Sequence, residues 1–148
     1  MAKNVRILHC SPEDVFDVLR DGWLFTTWVV GASRMRGQDP GWPAVGTRIH
    51  HSFGVWPIVI DDTTTVEVWD PPRAMTIRPK GWPIGEARVA LTVEEHRRGC
   101  KVTIVENAIA GPGSYVPDLL MQPAIWVRNH ETLRRLGWVA TGRAGRDA

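Results

Sequence analysis

The stretch PDLLMQPAIWVRNHETLRRLGWVA, residues 117–140, predicts a long amphipathic helix near the end of the chain. At about 1.5 Å per residue it spans roughly 36 Å, and no other predicted element is long enough to cover a sheet. We therefore expect one stripe of this helix to face a sheet. Its members follow helical spacing: Leu119, Pro123, Trp126, His130, Leu133, Gly137 and Ala140.

The segments between residues 47 and 108 predict that sheet. Five runs rich in strand-forming residues are separated by short turns, which favours antiparallel pairing. The runs are TRIHHSFGVW, IVIDDTTTVEVWD, RAMTIRP, GEARVALTVEE and KVTIVENA. Earlier in the chain, KNVRILH predicts a first strand, and SPEDVFDVLRD predicts a helix that Ser11 caps. A second short helix and a strand over about residues 28–36 follow, so the fold class is α+β.

The hairpin turns allow the register of the strands to be estimated. Tight turns place Val93 opposite Val102 and Leu91 opposite Ile104, and they place Met75 opposite Val89. The predicted inward set is Val66, Val68, Met75, Ile77, Ala87, Val89, Leu91, Val93, Val102, Ile104 and Glu106. The predicted outward set includes Glu67, Trp69, Arg78, Glu86 and Arg88.

Glu106 is the one charged residue in the inward set, and burying a carboxylate is costly unless it is paired or protonated. Three interpretations stay open. The sheet curls and leaves Glu106 in water, or Glu106 pairs with His51, His130 or an arginine, or it acts on a ligand. Trp126 and His130 likewise either fill the core or line a cavity between helix and sheet.

Composition narrows the classes of function. The chain has 148 residues, of which 43% are hydrophobic and 23% charged, and we expect one domain with a core over about 3–141 and a flexible tail over 142–148. A net charge of +2 argues against a nucleic-acid partner. Eight tryptophans need a large core, a lined cavity or an interface. Trp42, Trp56 and Trp82 each precede proline, where they either seal loops or surround a cavity mouth.

Several kinds of site have no motif here. The two cysteines lack metal-binding spacing, His50 and His51 are adjacent and so face opposite ways on a strand, and we expect neither a metal nor a cofactor. Nucleophile-elbow and phosphate-loop motifs are also missing. With no apolar signal segment and no run of 18 apolar residues, we expect a cytoplasmic protein with free thiols and no membrane insertion.

The order of these elements resembles the SRPBCC superfamily, the START-like group that includes polyketide cyclase/dehydratase-like proteins and the birch-pollen-allergen fold. The phrases that carry the resemblance are SPEDVFDVLRDG, GTRIHHSFGVWP, VEVWDPPRAMTIRP, GEARVALTVEE with KVTIVE, and RNHETLRRL, spread over about residues 3–141. The resemblance implies a helix-grip fold, in which a curved sheet of six to seven strands wraps the C-terminal helix and leaves an apolar cavity. No residue set is shared by all members, so it assigns no catalytic roles.

Three functions compete. The first is a binding or carrier protein for a hydrophobic small molecule such as a lipid, polyketide or aromatic compound. The second is a polyketide cyclase/dehydratase-type enzyme, and the third is an interaction module, for which an exposed Trp69 favours a homodimer. The catalytic candidates are His51, Glu106 and His130, with Arg78 and Arg128 as secondary ones. The ligand-binding candidates are Trp28, His51, Trp56, Met75, Val89, Glu106, Trp126 and His130.

Overall fold

The computed structural model describes residues 1–81 and 85–147. Within them the strands are β1 Ala2–Leu8, β2 Ala32–Gln38, β3 Arg48–Val55, β4 Ile58–Asp70, β5 Ala74–Gly81, β6 Gly85–His96 and β7 Gly99–Ala110. The helices are α1 Pro12–Arg20, α2 Phe25–Trp28 and α3 Asp118–Asp147. The predicted α+β order, a strand, two short helices, six strands and a long helix, is confirmed.

The seven strands form one antiparallel sheet in the order β1-β7-β6-β5-β4-β3-β2. The predicted register of β6 with β7 is confirmed, with Val93 opposite Val102 and Val89 opposite Glu106. Between β5 and β6 the pairing differs from the prediction by two residues, so that Met75 lies opposite Leu91. A shift of two residues leaves every side chain on the same face, and Met75 is therefore still buried.

A β-bulge in β4 reverses two of the predicted orientations. The pairing of β4 with β5 shifts between Val66 and Val68, which moves the following residues to the opposite face. Val68 is consequently exposed, and the Trp69 ring packs 5.3 Å from the Phe16 ring, centroid to centroid. The expectation that Trp69 lies on an exposed face is wrong, and it no longer argues for a homodimer.

Helix α1 begins as its sequence predicts. The Ser11 hydroxyl accepts a hydrogen bond from the Asp14 amide at 3.1 Å, and the Asp14 carboxylate accepts one from the Ser11 amide at 2.9 Å. The buried side of α1 packs into the core through Val15, Phe16, Val18 and Leu19. Both α1 and β1 contact α3, β1 through Leu8 beside Gly137.

The C-terminal half of α3 lies tightly against the rest of the core. Leu133, Leu136 and Ala140 are each at most 1% exposed. Gly137 permits a close approach to the sheet, because a Cβ atom there would lie 2.8 Å from Leu8 Cδ2. The helix continues to Asp147, so the segment expected to be a flexible tail is helical as far as that residue.

Candidate functional site

The N-terminal half of α3 presents a different face to the sheet from the predicted one. Leu119, Trp126 and His130 are exposed, and the Trp126 and His130 rings stack on each other at 5.5 Å on the outer side. Met121, Ile125 and Arg128 face inward instead, about two residues from the predicted stripe, which is more than half a turn. The prediction failed because this inner face carries an arginine and few large apolar residues, so hydrophobic periodicity chose the outer side.

Beneath this half of the helix lies a cavity of about 250 Å³. It extends across the ends of five strands, β3 to β7, and most of its lining is apolar. The lining residues are Phe53, Ile60, Asp62, Pro79, Gly81, Gly85, Glu86, Ala87, Glu106, Ala108, Ala110, Gly113, Met121, Ile125 and Arg128.

Small side chains on the sheet create this space. On β6 the cavity is lined by Gly85 and Ala87, and on β7 by Ala108 and Ala110. A few residues further along β6, Val89, Leu91 and Val93 are buried and fill the corresponding space. The strands therefore carry side chains that fill the interior at one end and side chains too small to fill it at the other.

Glu106 and Arg128 form a charged pair in the wall of the cavity. Arg128 Nη2 donates to both carboxylate oxygens of Glu106, and Glu106 is only 5% exposed. Arg128 also donates to Asn129 Oδ1 at 3.4 Å. Of the three interpretations of Glu106, the structure thus shows a buried carboxylate paired with an arginine, which compensates much of its lost hydration.

Asp62, on β4, is a second buried carboxyl group in the cavity wall. It is 6% exposed, and its Oδ1 accepts a hydrogen bond from the Thr63 amide at 2.8 Å, while Oδ2 has no hydrogen-bond partner among the described residues. Burial raises the pKa of Asp62 to about 6, although the Thr63 amide, Arg36 and Lys80 oppose the shift. Asp62 therefore changes charge near pH 6.

His51, rather than His50, faces the interior. Its ring is fully buried, lies 4.9 Å from the Phe25 ring and shares a 2.8 Å hydrogen bond with Thr64 Oγ1. Burial lowers the pKa of His51 to about 4, with smaller contributions from Arg36 and His50, so the imidazole is neutral at ordinary pH. His51 lies opposite Asp62 in the pairing of β3 with β4, but it is not among the residues that line the cavity.

The other candidates fall in different places. Trp28 and Val89 line a small space of about 40 Å³ that adjoins the main cavity and shares Glu106 and Arg128 with it. Met75 is buried in the core. Trp56 is 85% exposed at the β3–β4 turn, and it is not among the residues that line the cavity.

Within the described residues, the remaining tryptophans of the Trp-Pro pairs add no residue to the cavity. Trp42 is half-buried against the core, and Trp82 lies outside the described residues. Arg78 pairs with Glu86, which also lines the cavity, and Arg88 pairs with Glu67 on the outer face of the sheet.

A larger groove, of about 650 Å³, lies at the opposite end of the sheet. It is wide open to solvent, so it lacks the enclosure of a small-molecule site. Its lining is Ser11, Pro12, Glu13, Glu95, His96, Arg97 and Gly99. Over residues 1–81 and 85–147, no cluster of three potential metal ligands occurs and no helix has the length and apolarity to cross a membrane.

Three features of the cavity were not predicted: the inward Asp62, the space left by small side chains, and the inward Arg128. For the first two, the sequence contains a pattern that indicates them. Strand alternation from the inward Val66 leads in steps of two to Thr64, Asp62 and Ile60, so it places Asp62 inside. The small inward residues Gly85 and Ala87 also indicate unfilled space. The inward direction of Arg128 had no comparable signal, because a lone arginine in a helix usually faces solvent.

These observations define a class of protein: a helix-grip domain in which an antiparallel sheet holds a long C-terminal helix over an apolar cavity. The chain belongs to the family described as polyketide cyclase / dehydrase and lipid transport, whose profile matches residues 2–137. The resemblance to the SRPBCC superfamily is confirmed, and the fold is of the type that binds hydrophobic ligands. A comparison with curated proteins finds no sequence relative of this chain.

Solved structures with the same fold differ widely in sequence. Protein SA2116 from Staphylococcus aureus superposes with a TM-score of 0.76 at 9% identity, covering 97% of this chain and 94% of that one. The allergen Ara h 8.0201 gives a TM-score of 0.70 at 14% identity, covering 94% and 96%. The di-domain ARO/CYC protein StfQ of the steffimycin biosynthetic pathway gives 0.68 at 11% identity, covering 97% of this chain and 51% of that one.

Proposed function

We propose that this protein binds a compact hydrophobic molecule in the cavity between the N-terminal half of α3 and the ends of β3 to β7. The observation that carries the proposal is the cavity itself, which lies between helix and sheet, is mostly apolar, and is supplied with a few polar groups. That combination is typical of small-molecule sites, in which apolar walls supply affinity and scattered polar groups fix orientation.

The size of the cavity favours a ring-sized ligand over a long acyl chain. Its volume of about 250 Å³, even with the adjoining space of about 40 Å³, lies just below the range of roughly 300–1,000 Å³ that is usual for ligand pockets. Within a family whose description includes both polyketides and lipids, this supports a compact aromatic or alicyclic molecule for this chain.

The enzyme hypothesis, with Glu106 and a histidine as acid and base, has less support. His130 lies on the outer side of α3, Glu106 is bound to Arg128, and His51 is hydrogen-bonded to Thr64 behind the cavity wall. General acid–base catalysis requires groups within hydrogen-bonding reach of the same substrate, directly or through one water. These contacts favour binding as the function.

The proposal is tested by filling the cavity from the sheet. Ala87→Leu places additional volume inside it, whereas the control Ala90→Leu lies outside the cavity lining on the same strand. With indane, a bicyclic hydrocarbon, as the probe in an NMR titration, we expect the wild type and Ala90→Leu to bind, and Ala87→Leu to bind at least tenfold more weakly. Indane binding that Ala87→Leu leaves unchanged, or a wild type that does not bind indane, would overturn the proposal.

A second measurement does not depend on the choice of probe. Native mass spectrometry of the purified wild type, followed by organic extraction, should reveal a bound molecule small enough for about 250 Å³. Ala87→Leu purified in parallel should carry much less of it, while Ala90→Leu should carry as much as the wild type.

A further inference from the structure

Among the buried polar atoms without a hydrogen-bond partner in the described residues, which include His51 Nδ1 and Asn129 Nδ2, Asp62 Oδ2 belongs to a residue that lines the main cavity. Asp62 lines the cavity, is more than nine-tenths buried, and leaves Oδ2 without a hydrogen bond among the described residues. A buried polar atom that lacks a partner costs free energy, and in a binding site the ligand commonly supplies that partner. Glu106, the other buried carboxylate in the wall, differs because Arg128 satisfies both of its oxygens.

The geometry points to Asp62 as the group that anchors the ligand, through a hydrogen bond from its protonated carboxyl group to a carbonyl or ether oxygen of a compact cyclic molecule. This inference rests on the proposed function and adds the chemical class of the ligand. The Thr63 amide occupies Oδ1, which leaves Oδ2 to carry the proton, and because Oδ2 has almost no exposed surface it meets the ligand when the carboxyl group turns toward the cavity. Arg36 holds the strand in place from behind, since its Nη2 donates to the Asp62 carbonyl oxygen at 2.9 Å.

The surroundings of Asp62 favour the neutral form that such a donor requires. Burial raises the pKa of Asp62 to about 6. The charged or titratable groups around it lie on several elements: Arg36 on β2, His51 opposite it on β3, Lys80 on β5, Glu86 on β6, Glu106 on β7 and Arg128 on α3. Arg128 is already paired with Glu106, and the pKa of His51 is held at about 4, so neither replaces Asp62 as a group that changes charge near pH 6.

The test compares two ring-matched probes, 1-indanone, which carries a carbonyl group, and indane, which does not. Their dissociation constants are measured by NMR titration at pH 5.0 and pH 7.5. We expect wild-type protein to bind 1-indanone about tenfold more tightly at pH 5.0, which is what one net hydrogen bond is worth, and to bind indane equally at both values. Binding of the ketone requires the proton on Asp62, so its affinity decreases as pH rises above about 6.

Two variants assign the effect to this residue. Asp62→Asn keeps an N–H donor but does not titrate, so its affinity for 1-indanone should not change with pH. The matched control is Asp61→Asn on the neighbouring position of β4, where the side chain is exposed and accepts a hydrogen bond from Ser52 on the other face. This control should keep the wild-type pH dependence.

The outcomes separate the two proposals. Equal affinities for 1-indanone and indane at both pH values would overturn the anchoring role of Asp62 and leave hydrophobic binding intact, as would a pH dependence that Asp62→Asn retains. Absence of binding by either probe at both pH values would overturn both proposals. The comparison of the two probes on wild-type protein decides the question even if Asp62→Asn does not fold.

Discussion

The two halves of α3 cover the same sheet in opposite ways. The C-terminal half presents Leu133, Leu136 and Ala140 to a filled core, and Gly137 brings it close to β1. The N-terminal half presents Met121, Ile125 and Arg128 to a cavity. One helix thus stabilises the fold with its last turns and forms the wall of a binding site with its first, so stability and binding are expected to respond to different substitutions.

The largest effect on stability should come from truncating a side chain in the packed C-terminal half of α3. Leu136→Ala removes a fully buried side chain from a close-packed region and should lower the free energy of unfolding by about 3–4 kcal/mol. Ile125→Ala, about three turns earlier on the cavity side, should lower it by less than about 1.5 kcal/mol, because its side chain is only partly packed. Urea unfolding of both variants measures the difference. Equal losses of stability would contradict the distinction between a packed C-terminal half and a cavity-lining N-terminal half of α3.

The next effect concerns the charged pair at the cavity. Glu106→Gln leaves Arg128 beside a neutral amide and should destabilise the protein by about 2–3 kcal/mol, less than a fully buried pair because Arg128 keeps 35% of its side chain exposed. The control is Glu67→Gln on the outer face of the sheet, where the carboxylate pairs with Arg88 at 2.7 Å. There the loss should stay below about 1 kcal/mol. If both variants lose the same amount in urea unfolding, Glu106 is not a buried partner.

Two buried groups that lie opposite each other on β3 and β4, His51 and Asp62, should respond to pH in opposite ways. In the packed core, His51 has its pKa lowered from 6.5 to about 4, so its contribution is lost as pH decreases between those values. In the cavity wall, Asp62 has its pKa raised from 3.8 to about 6, so its contribution is present at low pH and lost as pH rises between those values. From about pH 4 to pH 6 the two changes largely cancel.

Removing Asp62 should expose that cancellation. Relative to wild type, Asp62→Asn should lose stability as pH decreases from 6 to 4, by about 1.4 kcal/mol per pH unit. Urea unfolding at a series of pH values measures this, with Asp61→Asn as the control whose curve should run parallel to wild type. A parallel curve for Asp62→Asn as well would show that Asp62 titrates normally.

The smallest effect is expected on the outer side of the N-terminal half of α3. Trp126→Ala should change the free energy of unfolding by less than about 1 kcal/mol, because Trp126 is 48% exposed and mainly stacks on His130. Indane affinity should not change, since Trp126 is not among the cavity residues. A tenfold loss of indane binding in an NMR titration would show that this face of α3 turns inward in solution.

The sequence predicted the parts of the fold in which local signals agree. The cap at Ser11, the turns between strands and the β6–β7 register lead directly to the observed sheet. The errors in side-chain direction occur where a regular period is interrupted or misread. The bulge after Val66 moves the side chains of Val68 and Trp69 to the opposite face of the sheet from the predicted one. On α3, the inner face carries an arginine, so the hydrophobic pattern placed Trp126 and His130 inside although both are exposed.

The candidate site was predicted less completely than the fold. The inward direction of Glu106 follows from strand alternation, and Glu106 is buried. The sequence left open whether His50 or His51 faces the interior, because a slip of one residue along the strand exchanges them. Arg128 could be identified only through its pairing with Glu106, a contact between residues 22 positions apart that no local pattern encodes. The volume of the cavity depends on how far the helix stands from the sheet, which is a property of the whole fold.

The small residues that end β6 and β7 have a consequence for how such proteins diversify. A substitution at Ala87, Ala108 or Ala110 alters the shape of the cavity without removing any of the large side chains that hold the core. Selection can therefore explore new ligands at these positions while the rest of the chain keeps folding. Descendants of one ancestor can in this way come to recognise unrelated molecules without any change of architecture.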